Sequence, residues 1–333
     1  MTPANLYVTR IIAEDGIRIL QAFADVRVWR ERQLMPRDMQ LRAFADCDGI
    51  LTTGDILVNE ELISACPKAK VFSNHAVGYD NIDVPACTRH GVLVGNTPGV
   101  LSETTADLAF TLLLASARRV VELAGWVKQD QWKPETGLLE NLGTEVHHAT
   151  LGIIGMGRIG VEIARRATGF NMKILYHNRQ RNRKAENEFG AVHVGKENLL
   201  RQSDFVSLNL PLTQETYHYI GANDFKPMKP SAILINTARG QLVDQAALLD
   251  ALKSGEIAGA GLDVTDPEPM RADDPLLNLP QVTILPHVGS ATRETRAKMA
   301  ETAARNLINA LKGQPMISCL NPEAYGKGRN KKI

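Results

Sequence analysis

The chain has 333 residues, which is enough for about two domains. Hydrophobic residues make up 44% and charged residues 23%, as in ordinary soluble globular proteins. Its 38 Lys and Arg residues and 37 Asp and Glu residues give a formal net charge of +1. This balance argues against a general nucleic-acid binder and against a protein that binds anionic membranes.

Several local features narrow the class further. The longest apolar run, residues 108–117, is too short to cross a bilayer, and the N-terminal residues lack the basic and apolar regions of a signal peptide. The adjacent His147 and His148 do not indicate a metal site, because neighbouring side chains diverge. No C-x-x-C pair is present among the four cysteines, which are Cys47, Cys66, Cys87 and Cys319. We therefore expect a cytoplasmic protein without a metal.

The first hundred residues alternate short apolar runs with segments of helical spacing. The predicted strands are Leu6–Thr9, Val26–Trp29, Gly49–Thr52, Val71–Asn74 and Val92–Val94. Alternation of this kind predicts an α/β domain in which helices cover both faces of a parallel sheet.

A change of pattern follows the turn signal at Pro98-Gly99, where we predict a domain boundary. Apolar residues then repeat at helical spacing from about Leu101 to Lys128, which predicts one long helix. A polar stretch with Gly and Pro follows it.

A second alternating region runs to about residue 285. Its predicted strands are Leu151–Ile154, Lys173–Tyr176, Phe205–Leu210, Ala232–Asn236, Gly259–Val264 and Val282–Leu285. Six strands with intervening helices predict a doubly wound nucleotide-binding fold. A final helix is predicted over Thr292–Leu311, followed by a basic tail, residues 326–333, that we expect to be solvated and frayed.

The strongest local signal is the glycine-rich turn after the first strand of this region. Gly155, Gly157 and Gly160 follow an apolar strand and open an amphipathic helix, which is the context of the dinucleotide fingerprint. Backbone N–H groups at the helix start favour a pyrophosphate. Arg158 and Ile159 complete this predicted site.

The residues after the next strand bear on the choice of cofactor. NAD-selective sites place an acid here, whereas this chain has Asn178, Arg179 and Gln180 and no carboxylate before Glu186. Arg179 can pair with a 2′-phosphate, so we expect NADP(H) to be preferred and NAD(H) to be possible. The alternative is a solvated basic loop without a ligand.

Several motifs occur in a fixed order, and together they carry a family resemblance. They are Asn74–Asp83, the glycine turn, Asn236–Gly240, Gly261–Val264, Asp266–Pro269 and Leu285–Ala291. The chain resembles the D-isomer-specific 2-hydroxyacid dehydrogenases, above all the glyoxylate/hydroxypyruvate reductase branch. The resemblance covers roughly residues 6–322.

The resemblance implies an NADPH-dependent reductase that converts small 2-oxo acids, such as glyoxylate and hydroxypyruvate, to D-2-hydroxy acids. Hydride addition leaves charge on the carbonyl oxygen, and a histidine suits the proton transfer; His287 follows a predicted strand end. Glu268 is the implied carboxylate partner of His287, and Arg239 the cation for the substrate carboxylate and the oxyanion. Val77 and Gly78 match the loop whose N–H groups hold that carboxylate.

Other residues match cofactor-lining positions of the family, as do Arg239 and His287. They are Thr105, Leu210, Pro211, Thr237, Ala238, Asp263 and Gly289. For Asp263 the alternative is a structural aspartate at the end of its strand. His75 stands where relatives often carry Tyr and is expected to modulate the pocket. Gly54 and residues 135–148 depart from the family pattern, which leaves the substrate size open.

The resemblance also implies an architecture. A Rossmann cofactor domain, residues 100–289, is inserted in a flavodoxin-like substrate domain of residues 1–99 and 290–333. A homodimer through the long helix is expected. Two alternatives stay open: another D-2-hydroxyacid, phosphite or formate dehydrogenase, and an NAD(P)-sensing interaction protein of the same fold.

Overall fold

A computed structural model describes residues 4–330 of the chain. The chain forms two compact units. The first contains the residues up to Leu101 together with those from Ser290 onward, and the second contains Ser102–Gly289. Within the described residues, no helix is both long and apolar enough to cross a membrane.

The first unit is built on a five-stranded parallel sheet of order β2-β1-β3-β4-β5. Its strands are β1 Asn5–Val8, β2 Asp25–Val28, β3 Gly49–Thr52, β4 Val71–Asn74 and β5 Leu93–Gly95. Its helices are α1 Glu14–Gln21, α2 Arg37–Ala43, α3 Glu60–Ala65, α4 Val84–Arg89 and the last helix, α12 Arg293–Leu311. Ile50 and Leu51 enter separate apolar clusters on opposite faces, because successive strand residues alternate.

The second unit has a seven-stranded parallel sheet of order β12-β11-β10-β9-β6-β7-β8. Its strands are β6 Thr150–Ile154, β7 Lys173–His177, β8 Val192–His193, β9 Phe205–Leu208, β10 Ile233–Asn236, β11 Gly259–Leu262 and β12 Val282–Ile284. Its helices are α5 Ser102–Ala117, α6 Val120–Lys128, α7 Arg158–Thr168, α8 Arg183–Phe189, α9 Lys196–Gln202, α10 Ala222–Phe225 and α11 Gln245–Ser254. The predicted α/β class with two parallel sheets is confirmed.

Two details of the prediction were wrong in this unit. The expected continuous helix breaks into α5 and α6 at Arg119, whose φ is 53°. The break is held from outside the helix, since Thr144 N–H donates to the Ala117 carbonyl at 2.7 Å. The sheet also has a seventh strand, β8, which is only two residues long and pairs with β7.

The C-terminal segment packs on the first unit instead of fraying. Arg329 donates to the carbonyl oxygens of Ile63, Cys66 and Ala69 at 2.6–3.2 Å. These carbonyls lie at and beyond the end of α3, and those of Ile63 and Cys66 also accept backbone N–H groups, so the guanidinium adds further hydrogen bonds to that end. Residues 331–333 of the predicted frayed tail lie outside the described residues.

Candidate active site

The glycine-rich turn joins β6 to the start of α7. Gly155 has a φ of +99°, and a Cβ there would lie 2.7 Å from the Asn209 carbonyl oxygen. A Cβ at Gly160 would lie 2.3 Å from the Gly155 carbonyl oxygen, so only glycine lets the helix pack this tightly. Gly157 has no atom within 4 Å of its Cβ position, which leaves that side of the turn open.

Asn178, predicted to face the cofactor, holds the glycine turn itself. Its Oδ1 accepts from Met156 N–H at 2.7 Å, and Asn182 donates to the Met156 carbonyl at 3.0 Å. His193 on β8 lies 3.0 Å from the Asn178 carbonyl oxygen through Nε2. The loop after β7 is therefore joined to the glycine-rich turn by several hydrogen bonds.

Some of the basic residues that follow β7 form salt bridges with an acid. Glu186 pairs with Arg181 at 2.8 Å and with Arg183 at 3.2 Å, and it accepts from the Tyr176 hydroxyl at 2.6 Å. These contacts, led by the hydrogen bond from Arg181, lower the pKa of Glu186 to about 2. Among the described residues, Arg179 has no carboxylate within salt-bridge distance.

The carboxyl ends of β9 and β10 present two unsatisfied polar atoms. Asn209 Oδ1 and Thr237 Oγ1 are buried and have no hydrogen-bond partner in the described part of the chain. Leu210 and Pro211 directly follow Asn209. Thr237 was predicted from the sequence and Asn209 was not, although Asn209 is a polar residue at the carboxyl edge of a parallel sheet, where ligands bind.

Arg239 is presented by a short loop that Asn236 folds. Asn236 accepts from Ala238 N–H at 3.0 Å and donates to the Arg239 carbonyl at 2.8 Å. A Cβ at Gly240 would lie 2.0 Å from the Thr265 carbonyl oxygen, so this loop packs directly on the segment that leads to Glu268. The guanidinium of Arg239 donates to the Ala238 carbonyl at 2.8 Å.

His287 and Glu268 are in direct contact. His287 Nδ1 lies 2.5 Å from Glu268 Oε1, and both side chains are partly exposed, 45% and 38% respectively. His287 adopts a left-handed backbone conformation, φ 54°, and donates its N–H to the Asp263 carbonyl at 2.9 Å. The ring is thus held through Nδ1, and within residues 4–330 its Nε2 has no hydrogen-bond partner.

Asp263 organises the turn that follows His287. Its two carboxylate oxygens accept from Val288 N–H and Gly289 N–H, both at 2.8 Å, and the residue is 1% exposed. Burial raises the pKa of this carboxyl, and the two backbone hydrogen bonds oppose that shift. Thr105 on α5 lies beside the same turn, since a Cβ at Gly289 would lie 3.4 Å from Thr105 Cγ2.

In the first unit, the loop after β4 has an arrangement suited to an anion. The carbonyls of Ala76, Val77 and Gly78 accept from Thr97 N–H, Asn96 Nδ2 and Asn74 Nδ2 at 2.8–2.9 Å. Within the described residues, the N–H groups of Val77 and Gly78 donate to no protein acceptor. Because the carbonyls of this loop are hydrogen-bonded within the unit, its N–H groups remain to bind a ligand, and a loop of this kind favours a negatively charged one.

Comparison with known proteins identifies the family of this chain. Residues 110–289 match the family model described as D-isomer specific 2-hydroxyacid dehydrogenase, NAD binding domain. The chain belongs to this family. The predicted resemblance is thus confirmed.

The relatives of this D-2-hydroxyacid dehydrogenase include named reductases. It is 49% identical over 322 residues to the glyoxylate reductase of Thermococcus litoralis, covering 96% of this chain and 97% of that one. It is 50% identical over 290 residues to the glyoxylate/hydroxypyruvate reductase B of Citrobacter koseri, covering 87% and 89%. An NADPH-dependent glyoxylate/hydroxypyruvate reductase of Sinorhizobium meliloti, solved with NADP and malonate, matches with a TM-score of 0.84, 31% identity and coverage of 97% and 98%.

The family's nicotinamide cofactor fits the residues of the second unit. No side-chain cap closes the start of α7 at Gly157, so its first N–H groups, at Arg158 and Ile159, are available to a pyrophosphate. The unsatisfied atoms of Asn209 and Thr237 can bond a polar ligand at the carboxyl edge of the sheet. The dehydrogenase therefore has the groups that an NAD(P) cofactor requires.

Proposed function

We propose that the protein is an NADPH-dependent reductase that converts small 2-oxo acids, with glyoxylate and hydroxypyruvate as leading substrates, to D-2-hydroxy acids. The observation that carries the proposal is the contact of 2.5 Å between His287 Nδ1 and Glu268 Oε1. Asp263 stabilises the turn after His287 by accepting two backbone hydrogen bonds. The names of its relatives supply the substrate class. We assign the first unit to substrate binding and the second to the cofactor.

His287 is the proposed proton donor. Its Nδ1 is engaged by Glu268, so Nε2 is the nitrogen left for the carbonyl oxygen of the substrate. NADPH, when bound, supplies the hydride to the carbonyl carbon. A proton from Nε2 neutralises the developing alkoxide, and the carboxylate of Glu268 stabilises the imidazolium that gives it. General acid catalysis of this kind contributes about 10²–10⁴-fold.

Two groups are proposed to hold the substrate. The planar guanidinium of Arg239 binds the carboxylate and the carbonyl oxygen through parallel N–H groups. The N–H groups of Val77 and Gly78 receive the carboxylate, because their carbonyls are already held on the other side of the loop. Both interactions orient the ketone and favour the charge that develops on its oxygen.

The preference for NADPH rests on Arg179. Glu186 forms salt bridges with Arg181 and Arg183, whereas the acid that acts on Arg179, Glu215, lies beyond salt-bridge distance, so the Arg179 guanidinium can pair with a 2′-phosphate. The absence of an acid at the end of β7 removes the group that would repel that phosphate. NAD(H) remains a usable cofactor, since the pyrophosphate site does not depend on the ribose substituent.

We also propose a homodimer. Helix α6 and the segment after it carry several exposed apolar side chains: Val120, Val121, Val127, Leu138, Leu139 and Leu142 are 50–97% exposed. Apolar surface of this extent favours association. Light scattering should give twice the chain mass of 36.5 kDa, and the double substitution of Leu138 and Leu139 by Asp should give the monomer. The four free cysteines fit a reducing compartment such as the cytoplasm.

The deciding experiment is a substrate panel. We expect the purified protein to oxidise NADPH with glyoxylate and hydroxypyruvate, and less efficiently or not at all with pyruvate and 2-ketogluconate. Phosphite and formate, each tested with NADP⁺, should give no reduction. Turnover only with phosphite or formate would replace the proposed activity by that of another dehydrogenase. Cofactor binding without turnover on any substrate would favour a sensing protein.

A further inference from the structure

Two buried polar atoms of the first unit have no hydrogen-bond partner among the described residues. They are His75 Nε2 and Thr97 Oγ1, on side chains whose residues are 7% and 0% exposed. Proteins satisfy nearly all buried polar atoms, so two unsatisfied ones in neighbouring segments call for an occupant.

These two residues flank the proposed carboxylate loop. His75 precedes Ala76, Val77 and Gly78 directly, and its own N–H donates to the Thr52 carbonyl at 2.8 Å. Thr97 donates its N–H to the Ala76 carbonyl at 2.9 Å. The backbone on both sides is therefore fixed, and both unsatisfied side chains belong to the segments that shape the loop.

The ring of His75 is neutral under ordinary conditions. Burial, followed by the charge of Arg296, lowers its pKa to about 4. A neutral imidazole has one donor and one acceptor nitrogen and forms no ion pair with a second carboxylate. A group that both donates and accepts a hydrogen bond suits such a ring. Two residues beyond β3, no atom of the described residues lies within 4 Å of a Cβ placed on Gly54, so that turn has open space beside it.

We propose that His75 and Thr97 bind a hydroxyl group on C3 of the 2-oxo acid, so that the enzyme selects hydroxypyruvate over pyruvate. A hydroxyl both donates and accepts, so it pairs with Nε2 in either imidazole tautomer and with the threonine hydroxyl as well. The methyl group of pyruvate leaves both protein atoms unsatisfied, which is the situation that gives strong discrimination. This inference rests on the proposed function.

The test compares kcat/KM for hydroxypyruvate, pyruvate and glyoxylate. Wild type should prefer hydroxypyruvate over pyruvate by at least about tenfold. His75→Leu and Thr97→Val should each reduce that preference about tenfold, whereas Thr97→Ser, which keeps the hydroxyl, should retain most of it. His147→Leu is the matched control, since His147 is an exposed histidine of the other unit and should not change the ratio.

Glyoxylate distinguishes a failure of the proposed function from a failure of this inference, because it has no C3 and so no hydroxyl for His75 and Thr97 to bind. A wild type inactive on all three acids would overturn the proposed function and this inference with it. Glyoxylate turnover combined with an unchanged hydroxypyruvate-to-pyruvate ratio in both His75→Leu and Thr97→Val would overturn this inference alone; the pair would then hold only a structural water. If His75→Leu does not fold, the comparison of the isosteric Thr97→Val with Thr97→Ser tests the inference, through the ratio of kcat/KM for hydroxypyruvate and pyruvate.

Discussion

The Nδ1 atom of His287 lies 2.5 Å from Oε1 of Glu268, which leaves Nε2 as the nitrogen of that ring that can reach a substrate. The two residues are 19 positions apart, and the contact depends on the turns that carry them. Asp263 fixes the turn after His287, and Gly240 packs against the segment before Glu268. The position of His287, the proposed proton donor, thus depends on backbone geometry as much as on its carboxylate partner.

Glu268→Gln should lower kcat by roughly 10²-fold, because an amide can hold the ring but cannot stabilise the imidazolium by charge. The KM for NADPH should change by no more than a few-fold. Steady-state kinetics at saturating cofactor measure both values. Asp273→Asn is a suitable control, because this acid pairs with Arg271 at the surface. Equal kcat values for Glu268→Gln and wild type would remove Glu268 from the mechanism.

Asp263→Asn should reduce both stability and turnover. An amide offers one acceptor oxygen for two N–H groups, and its own NH₂ would face the N–H of Val288 or Gly289. Loss of such a bond costs about 1–3 kcal/mol in the free energy of unfolding. The displaced turn should also lower kcat about tenfold or more. Chemical denaturation and kinetics on the same variant test this, and an unchanged kcat despite lower stability would mean that the aspartate is only structural.

Arg179→Asp should lower kcat/KM for NADPH by about 10–100-fold while affecting NADH far less, since a charged hydrogen bond to the 2′-phosphate is lost and a like charge is added. Arg183→Asp is the matched control, because Arg183 begins α8 four residues further on and pairs with Glu186. The ratio of kcat/KM for the two cofactors is the measurement. A wild type that prefers NADH, or an equal effect of both substitutions, would contradict the assignment.

His75 should make the protein less stable in mild acid. Its folded-state pKa of about 4 lies below the ordinary value of 6.5, so between these pH values the unfolded chain binds a proton that the native chain does not. The contribution of this group to the free energy of unfolding should therefore fall by about 1.4 kcal/mol per pH unit as the pH decreases through that window. Denaturant unfolding at several pH values measures it. The gap between wild type and His75→Asn should narrow toward pH 4, and parallel curves would contradict the prediction.

Much of the fold and of the cofactor turn could be predicted because their signals are local. The strand before Gly155 and the helix after Gly157 are both visible in the spacing of apolar residues, and the family motifs named the residues around His287. The start of the last helix was also local: Thr292 caps α12 through a hydrogen bond from Thr295 N–H.

The features that were missed depend on contacts between distant segments. The break at Arg119 is held by Thr144, and the strand β8 exists only because it pairs with β7. The sequence after β7 did not indicate that Glu186 would form salt bridges with two arginines and accept a hydrogen bond from the Tyr176 hydroxyl. The sequence likewise gave no sign that the Asn178 side chain would accept from Met156 N–H.

The most direct test of the proposed mechanism is the turnover of a His287→Asn variant. Asparagine tolerates the left-handed backbone at this position, so the turn is kept while the acid is lost. With saturating NADPH and hydroxypyruvate or glyoxylate, kcat should fall by about 10²–10⁴-fold, and the Kd for NADPH from fluorescence titration should stay within a few-fold of wild type. A kcat close to that of wild type would contradict the assignment of His287 as the proton donor.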